Sequence, residues 1–213
     1  EEGTTDGRHP DRVTFSGPEE DANRRDFTVN GLFYDPEKDQ VIDHVGGRAD
    51  LKEKLIRTIG DPDLRLAEDY LRLLRAVRFS SVLEFSLHPD TRAAIRRNAN
   101  GIQKISIERI EQELSRILIE SPRAGKALHL MMDVGLLQQI LPEVAAMREQ
   151  EQPPQFHPEG DVFTHTMMML DMMENPNLTL AYSILFHDIA KPVTAATTIE
   201  PDGSERIRFN RHA

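Results

Sequence analysis

The 213-residue chain contains no cysteine and no tryptophan. Without thiols there is no disulfide scaffold, no zinc ribbon and no cysteine nucleophile, and the composition fits a reducing compartment. Aromatic side chains are sparse, with nine Phe and three Tyr. No stretch approaches the roughly 18 consecutive apolar residues that a membrane span needs. The opening residues, Glu1 to Pro10, carry no Met and no basic-then-apolar signal pattern, and the sequence stops at Arg211-His212-Ala213, so it reads as a piece of a longer chain. What is present suits a globular protein: 38% hydrophobic and 29% charged residues allow a packed core in one large domain or two small ones.

The charge is unevenly spread. With 26 Lys+Arg against 36 Asp+Glu, the formal net charge is 26 − 36 = −10, which argues against binding nucleic acid through a uniformly positive surface. Yet Arg65 to Arg97 holds seven arginines (65, 72, 75, 78, 92, 96 and 97) against Glu68, Asp69, Glu84 and Asp90. A local phosphate partner fits that segment, and Arg92, Arg96 and Arg97 form a candidate RNA-facing patch, although solubilisation explains them equally well.

Along the chain, the first 45 residues read as strand and turn: Arg12 to Phe15, Phe27 to Tyr34 and Gln40 to Asp43 are β-rich. From Gly46 onward apolar spacing turns helical over Asp50 to Ile56, Ala67 to Leu83, Pro89 to Asn98, Ser106 to Glu120, Arg123 to Val134, Val162 to Met173 and Leu178 to His187. The polar, proline-bearing stretch Glu149 to Pro154 reads as a linker. These spacings divide the chain into residues 1–45, 46–150 and 151–213.

Two constellations carry chemistry. On a continuous helix with Asp69 at zero, about 100° per residue puts Arg72 near 300°, Arg75 near 240° and Arg78 near 180°, opposite an apolar half with Leu73, Leu74 and Val77. Asp69 and Arg72 then offer acceptors and a planar donor fork together, suited to the edge of a nucleobase or, more plainly, to a solvated ion pair. Arg24-Arg25-Asp26 before a β-rich run is ambiguous in the same way, between a phosphate clamp and turn-edge charge. The second constellation is His165, His187-Asp188 with Lys191, and His212; imidazoles and a carboxylate on separate helices are the ligands a hydrolytic divalent metal needs. A single such histidine is ordinarily a core residue, and the cluster Met167-Met168-Met169 and Met172-Met173 reads as packing.

Four motifs occur in order: Arg24-Arg25-Asp26-Phe27-Thr28-Val29-Asn30; Asp43-His44-Val45-Gly46-Gly47-Arg48-Ala49-Asp50-Leu51; Glu68-Asp69-Tyr70-Leu71-Arg72 running to Arg75, Arg78 and Phe79; and Glu108-Arg109-Ile110-x-x-Glu113-Leu114. Together they resemble the bacterial CCA-adding tRNA nucleotidyltransferase and poly(A) polymerase family. The resemblance implies an α+β, mostly helical fold: the back part of a polymerase β-like nucleotidyltransferase head (1–45), a helical neck and body that read nucleotide and RNA (46–150), and the start of an all-α HD unit (151–213). It implies nucleotide contacts from Arg25, Asp26 and Asn30, a springy head-to-neck link around Asp43, Gly46 and Gly47, and a protein template for CTP or ATP from Glu68, Asp69 and Arg72 with Arg75 and Arg78. It implies a cytoplasmic enzyme acting on tRNA or another RNA 3′ end, with Mg2+ serving nucleotide transfer in the full-length parent.

The HDIAKP string of residues 187–192 resembles an HD metal-dependent phosphohydrolase unit. That likeness carries His165, His187, Asp188 and His212 onto divalent-metal ligand positions with Lys191 beside them. In the family, a Gly-Gly-x-x-Arg-Asp segment and a paired-Asp strand precede the Arg-Arg-Asp motif, and neither stands upstream of Arg24 here. The expectation is therefore that these 213 residues bind nucleotide or RNA without catalysing addition. The rival readings are a chain whose only active part is the HD phosphohydrolase, and a non-catalytic RNA-binding module.

Overall fold

The computed structural model describes residues 17–152, 158–199 and 205–209. Its elements in chain order are α1 (Pro18–Arg24), β1 (Leu32–Asp35), β2 (Gln40–Asp43), α2 (Gly47–Glu53), β3 (Leu55–Ile56), α3 (Pro62–Glu68), α4 (Leu71–Leu83), β4 (Ser86–Leu87) and α5 (Pro89–Asn98). They continue with α6 (Ile107–Glu120), α7 (Ala124–Asp133), α8 (Leu137–Ile140), α9 (Pro142–Ala145), α10 (Val162–Asp171), α11 (Leu178–Phe186), α12 (Lys191–Thr194), β5 (Ala195–Ile199) and β6 (Glu205–Phe209). Among the described residues there are three sheets of two strands each: β1–β2 antiparallel, β3–β4 parallel and β5–β6 antiparallel. The last hairpin stands in the segment expected to be all-α.

Local chemistry sets the ends of these elements. Asp61, Asp161 and Asn177 cap α3, α10 and α11 by accepting the amides of Leu64, Thr164 and Leu180 at 2.9, 2.7 and 3.0 Å. Pro62 and Pro89 occupy first helical positions, where the missing N–H costs nothing. The run from Phe27 to Tyr34 is not one strand. Asn30 Nδ2 donates to Asp26 Oδ1 at 2.6 Å and the Phe27 amide donates to Asn30 Oδ1 at 3.2 Å, which closes Thr28–Asn30 into a 3-10 turn before β1. The helix expected over Asp50 to Ile56 runs from Gly47 to Glu53 instead, and ends where Lys54 enters the left-handed region at φ 54°. The strand expected at Arg12 to Phe15 lies outside the described residues.

The largest departure is in the middle. The periodic run Ala67 to Leu83 predicts one helix, but Asp69 has φ −150° and ψ 105°, and its Oδ1 accepts the Leu71 amide at 3.0 Å. An aspartate side chain that competes for a nearby backbone donor ends one helix and starts another. The 100° projection therefore holds within α4 but not across Asp69.

One apolar cluster runs through the described residues, from Phe27 and Ile56 through Leu73, Leu74 and Val77 of α4 and Leu118 and Leu128 of α6 and α7 to Phe163, Met167 and Leu185. The elements on either side of the proline-bearing stretch thus share a core. Two further ties cross it: Ser115 and Tyr182 hydroxyls lie 3.0 Å apart, and the Lys126 amide donates to Asp171 at 3.2 Å. α7 and α10 approach closely because Gly125 has no side chain; a Cβ there would sit 2.0 Å from the Met167 carbonyl oxygen. Gly125→Ala should force α10 away and destabilise the fold by about 1–3 kcal/mol, seen as a lower midpoint in thermal or urea unfolding.

Candidate functional site

The first group of residues gathers around α4. Arg25, half exposed, follows α1 and donates to Asp21 of that helix at 2.8 Å. An exposed pair of this kind adds little stability, so a phosphate can take the guanidinium over at small cost. Asp26 is buried and accepts Arg75 Nε at 2.6 Å as well as Asn30, which binds the Arg-Arg-Asp segment to the face of α4. Arg78 lies deeper. It is 5% exposed, donates from Nε to Glu113 Oε2 at 2.7 Å and stands over the Phe79 ring at 4.6 Å. Arg78 thus departs from the expected shared charged face. The 100° projection puts Arg72, Arg75 and Arg78 on one side, but α6 packs over that side of α4 and takes Arg78 into a buried ion pair.

Glu68, Asp69 and Arg72 meet at the α3–α4 break; the Arg72 amide donates to the Asp69 carbonyl at 3.0 Å, but their side chains turn to other partners. Arg72 Nη1 donates to Glu68 Oε2 at 2.5 Å and to the Arg65 carbonyl at 2.6 Å. Arg65 donates to the same Glu68 oxygen at 2.9 Å, and both guanidinium neighbours hold the Glu68 carboxyl below its ordinary value, against the opposing effect of burial. Asp69 Oδ2 accepts Arg109 Nη2 of α6 at 2.9 Å. Arg65 and Glu68, three apart in α3, form a pair that helical spacing allows, whereas the contact of Arg72 with the Arg65 carbonyl crosses the helix break and that of Arg109 depends on how α6 packs.

Arg92, Arg96 and Arg97 lie on α5, away from this cluster. Each has an internal partner: Arg92 Nη2 donates to Asp133 Oδ2 at 3.0 Å, Arg96 Nε to the Asp133 carbonyl at 3.0 Å, and Arg97 Nη2 to Asp63 Oδ2 at 2.6 Å. Six of the seven arginines counted between Arg65 and Arg97 thus have a carboxylate partner, and Arg96 has a backbone carbonyl.

The second group is His165 on α10 with His187 and Asp188 at the end of α11. One ligand atom from each lies within 4.8 Å of the others, the arrangement a metal ion needs. His165 Nδ1 meets Glu159 Oε1 at 2.5 Å and His187 Nδ1 meets the Ile184 carbonyl at 2.7 Å. A Nδ1–H given to an acceptor puts the remaining lone pair on Nε2, the usual preparation of a ligating imidazole. Two imidazoles and a carboxylate fit a divalent ion of the zinc, nickel or manganese kind. His212, the fourth expected ligand, lies outside the described residues. Lys191 is buried; its Nζ lies 2.7 Å from both Asp188 Oδ2 and Gln152 Oε1. Glu159 and Gln152 are the participants that the sequence did not reveal.

Asp188 shows the electrostatics of this group. Burial works to raise its pKa, but hydrogen bonds from His187 and Lys191 outweigh it and bring the value to about 2. The bond to Asp188 raises the pKa of His187 above 6.5, against burial. A folded-state pKa below the unfolded one stabilises above the unfolded value, so the Asp188 contribution is lost as pH falls from about 4 toward 2. A raised histidine pKa works the other way: the His187 contribution is complete below 6.5 and lost as pH rises through the folded value. The proton on His187 also competes with a metal, so divalent-metal affinity should rise with pH across that range. Calorimetric metal titrations at several pH values, beside the imidazole NMR titration of the metal-free protein, check this.

Residues 1–57 match the profile for the poly A polymerase head domain, and residues 84–148 match that for the probable RNA and SrmB- binding site of polymerase A. These matches support a relationship to the poly(A) polymerase and CCA-adding enzyme family. It is 44% identical over 141 residues to the CCA-adding enzyme of Lactobacillus johnsonii, covering 66% of this chain and 35% of that protein. To the multifunctional CCA protein of Leptothrix cholodnii it is 38% identical over 183 residues, 84% of this chain and 42% of that one. The crystal structure of the Bacillus stearothermophilus CCA-adding enzyme in complex with CTP superposes with a TM-score of 0.59 at 33% identity, over 80% of this chain and 47% of the other. The chain thus spans between about a third and a half of the relatives it matches.

Proposed function

We propose that the chain is part of an RNA 3′-terminal nucleotidyltransferase that uses CTP and ATP, with tRNA as the RNA favoured by relatives named for CCA addition. In this reading residues 1–45 are the rear of the head, 46–150 the neck and body, and the enzyme works in the cytoplasm with Mg2+ at carboxylates that these residues do not include. The observation that carries the reading is the α3–α4 break. It presents an aspartate held from two sides next to an arginine pinned through one nitrogen, Nη1, to Glu68 and the Arg65 carbonyl. Among the described contacts Arg72 Nε and Nη2 carry no partner, so an acceptor and two donors lie side by side for a base edge.

The residues nearby take complementary parts. Arg25 exchanges its exposed aspartate for a phosphate oxygen, where a guanidinium fork suits the geometry. Asp26 and Asn30 shape the turn that carries it, and Arg75 links that turn to the base-reading helix. Arg78 serves the reading from inside, by fixing α4 against α6 through Glu113. The patch Arg92, Arg96 and Arg97 faces RNA by trading its aspartates for phosphates.

A second activity is favoured by the His165, His187 and Asp188 arrangement. Residues 151–213 are in this reading the front of an HD-type metal-dependent phosphohydrolase, with His212 completing the set. Bound there, a divalent ion supplies Lewis-acid polarisation of a phosphoryl oxygen. His165 and His187 would hold it through Nε2 and Asp188 through its carboxylate, while the Lys191 ammonium neutralises part of that carboxylate's charge.

Three outcomes are expected. Asp69→Ala should reduce discrimination among bases by about 1–3 kcal/mol per lost hydrogen bond while leaving RNA binding nearly intact; equal loss for every nucleotide, measured by calorimetry, would speak against a template role. The 213-residue chain alone should not incorporate labelled CMP or AMP into tRNA. His187→Ala should abolish stoichiometric divalent metal in elemental analysis of the purified protein.

A further inference from the structure

The fourth motif, Glu108-Arg109-Ile110-x-x-Glu113-Leu114, divides its work in the fold. Glu113 faces inward to Arg78, whereas Arg109 projects from the first turn of α6 across to Asp69. We propose that Arg109 is a positioning residue for base selection: it fixes the Asp69 carboxylate as an acceptor beside Arg72, and so favours nucleobases with an exocyclic amine over those with an exocyclic carbonyl. The proposal rests on the reading of Asp69 and Arg72 as the base-facing pair.

The geometry argues for a clamp. Asp69 Oδ1 accepts the Leu71 amide at 3.0 Å and Oδ2 accepts Arg109 Nη2 at 2.9 Å, so the carboxylate cannot turn about its bond without losing one contact. An ionised carboxylate has about four lone-pair directions, which leaves room for a further donor. With Arg72 fixed by its Nη1, the available face presents an acceptor beside donors. Cytosine and adenine offer the complement, an amine donor next to a ring-nitrogen acceptor. Uracil and guanine offer a carbonyl oxygen next to an N–H, which meets the carboxylate and the guanidinium with like groups opposed.

The reach of Arg109 is itself set from the α3–α4 break. Tyr70, the residue after Asp69, lays its ring on Gly101, where an added Cβ would come within 2.1 Å of Cε1, and Lys104 stands over the same ring at 5.1 Å. Gly101 and Lys104 belong to the 3-10 segment Ala99–Lys104 that leads into α6. The start of α6, and with it Arg109, is therefore placed by the neighbour of the residue that Arg109 holds. The pair is partly exposed, with side-chain exposures of 49% for Arg109 and 34% for Asp69, so its substitution leaves the core untouched.

The test compares CTP, ATP, UTP and inorganic tripolyphosphate binding by calorimetry in the wild-type chain, Arg109→Met, Arg109→Lys and Asp69→Ala, each first checked by thermal unfolding. In Arg109→Met the preference for CTP over UTP should fall about tenfold, the size expected for one misdirected charge-assisted hydrogen bond, with tripolyphosphate affinity and melting unchanged. Arg109→Lys should recover part of the preference. An unchanged ratio in Arg109→Met while Asp69→Ala loses it overturns the role of Arg109 and leaves the base-facing pair standing. Tighter CTP binding in Arg109→Met also overturns it, because Arg109 would then be a competitor for Asp69. A wild-type chain with no preference for CTP over UTP sinks the base-facing pair and this proposal with it.

Discussion

Asp69 cannot lie inside a helix and also hand its carboxylate to the Leu71 amide, and the structure resolves the conflict by ending α3 and starting α4 around it. Much of the candidate nucleotide face follows from that break. With the two helices no longer collinear, Arg72 reaches back to the Arg65 carbonyl and to Glu68, while Asp69 turns toward α6. In a continuous helix Asp69 and Arg72 would be neighbours three apart, open to pairing with each other. The cost of interrupting one helix is offset by capping and by burying Leu71, Leu73 and Leu74 on the far side of α4.

Around this break the charged residues fall into two classes by burial. Arg78, Glu113, Asp26 and Asp50 are nearly enclosed, and each has partners that satisfy it: Asp50 accepts Thr28 Oγ1 at 2.7 Å and Arg57 Nε at 3.0 Å, and Arg57 Nη1 continues to His88 Nε2 at 2.8 Å. Removing one member of such a pair leaves an uncompensated buried charge, so these contacts fix where the Thr28–Asn30 turn, α2 and α5 meet. Arg25, Arg97 and Arg109 hold exposed acids instead and can exchange them cheaply. Buried pairs set the frame, and exposed pairs are available for ligands.

The metal-ligand group obeys the same logic with imidazoles. Its two histidines come from α10 and the end of α11, and their placement depends on the close approach of α10 to α7 at Gly125. A segment that looks separable in sequence, beyond a polar stretch with two prolines, is anchored to the body by apolar packing, by the Ser115–Tyr182 contact and by Lys191 reaching Gln152. The residues that would bind metal are thus held by the same core that holds α4.

By itself the sequence determined most helices from Pro89 to Phe186, because their apolar spacing and capping residues are local properties that need no partner. It determined the four ordered motifs and the His-Asp pair for a similar reason: residue type and order survive without coordinates. Only the tertiary structure decided what each charge does. Arg78 and Arg75 repeat at the same interval on α4, yet α6 encloses one and leaves the other at Asp26. Arg109 sits forty residues from Asp69 and Glu159 lies outside α10, so no periodicity relates them to the groups they hold. Electrostatic roles depend on burial and on partners brought together from a distance, and helical spacing carries neither.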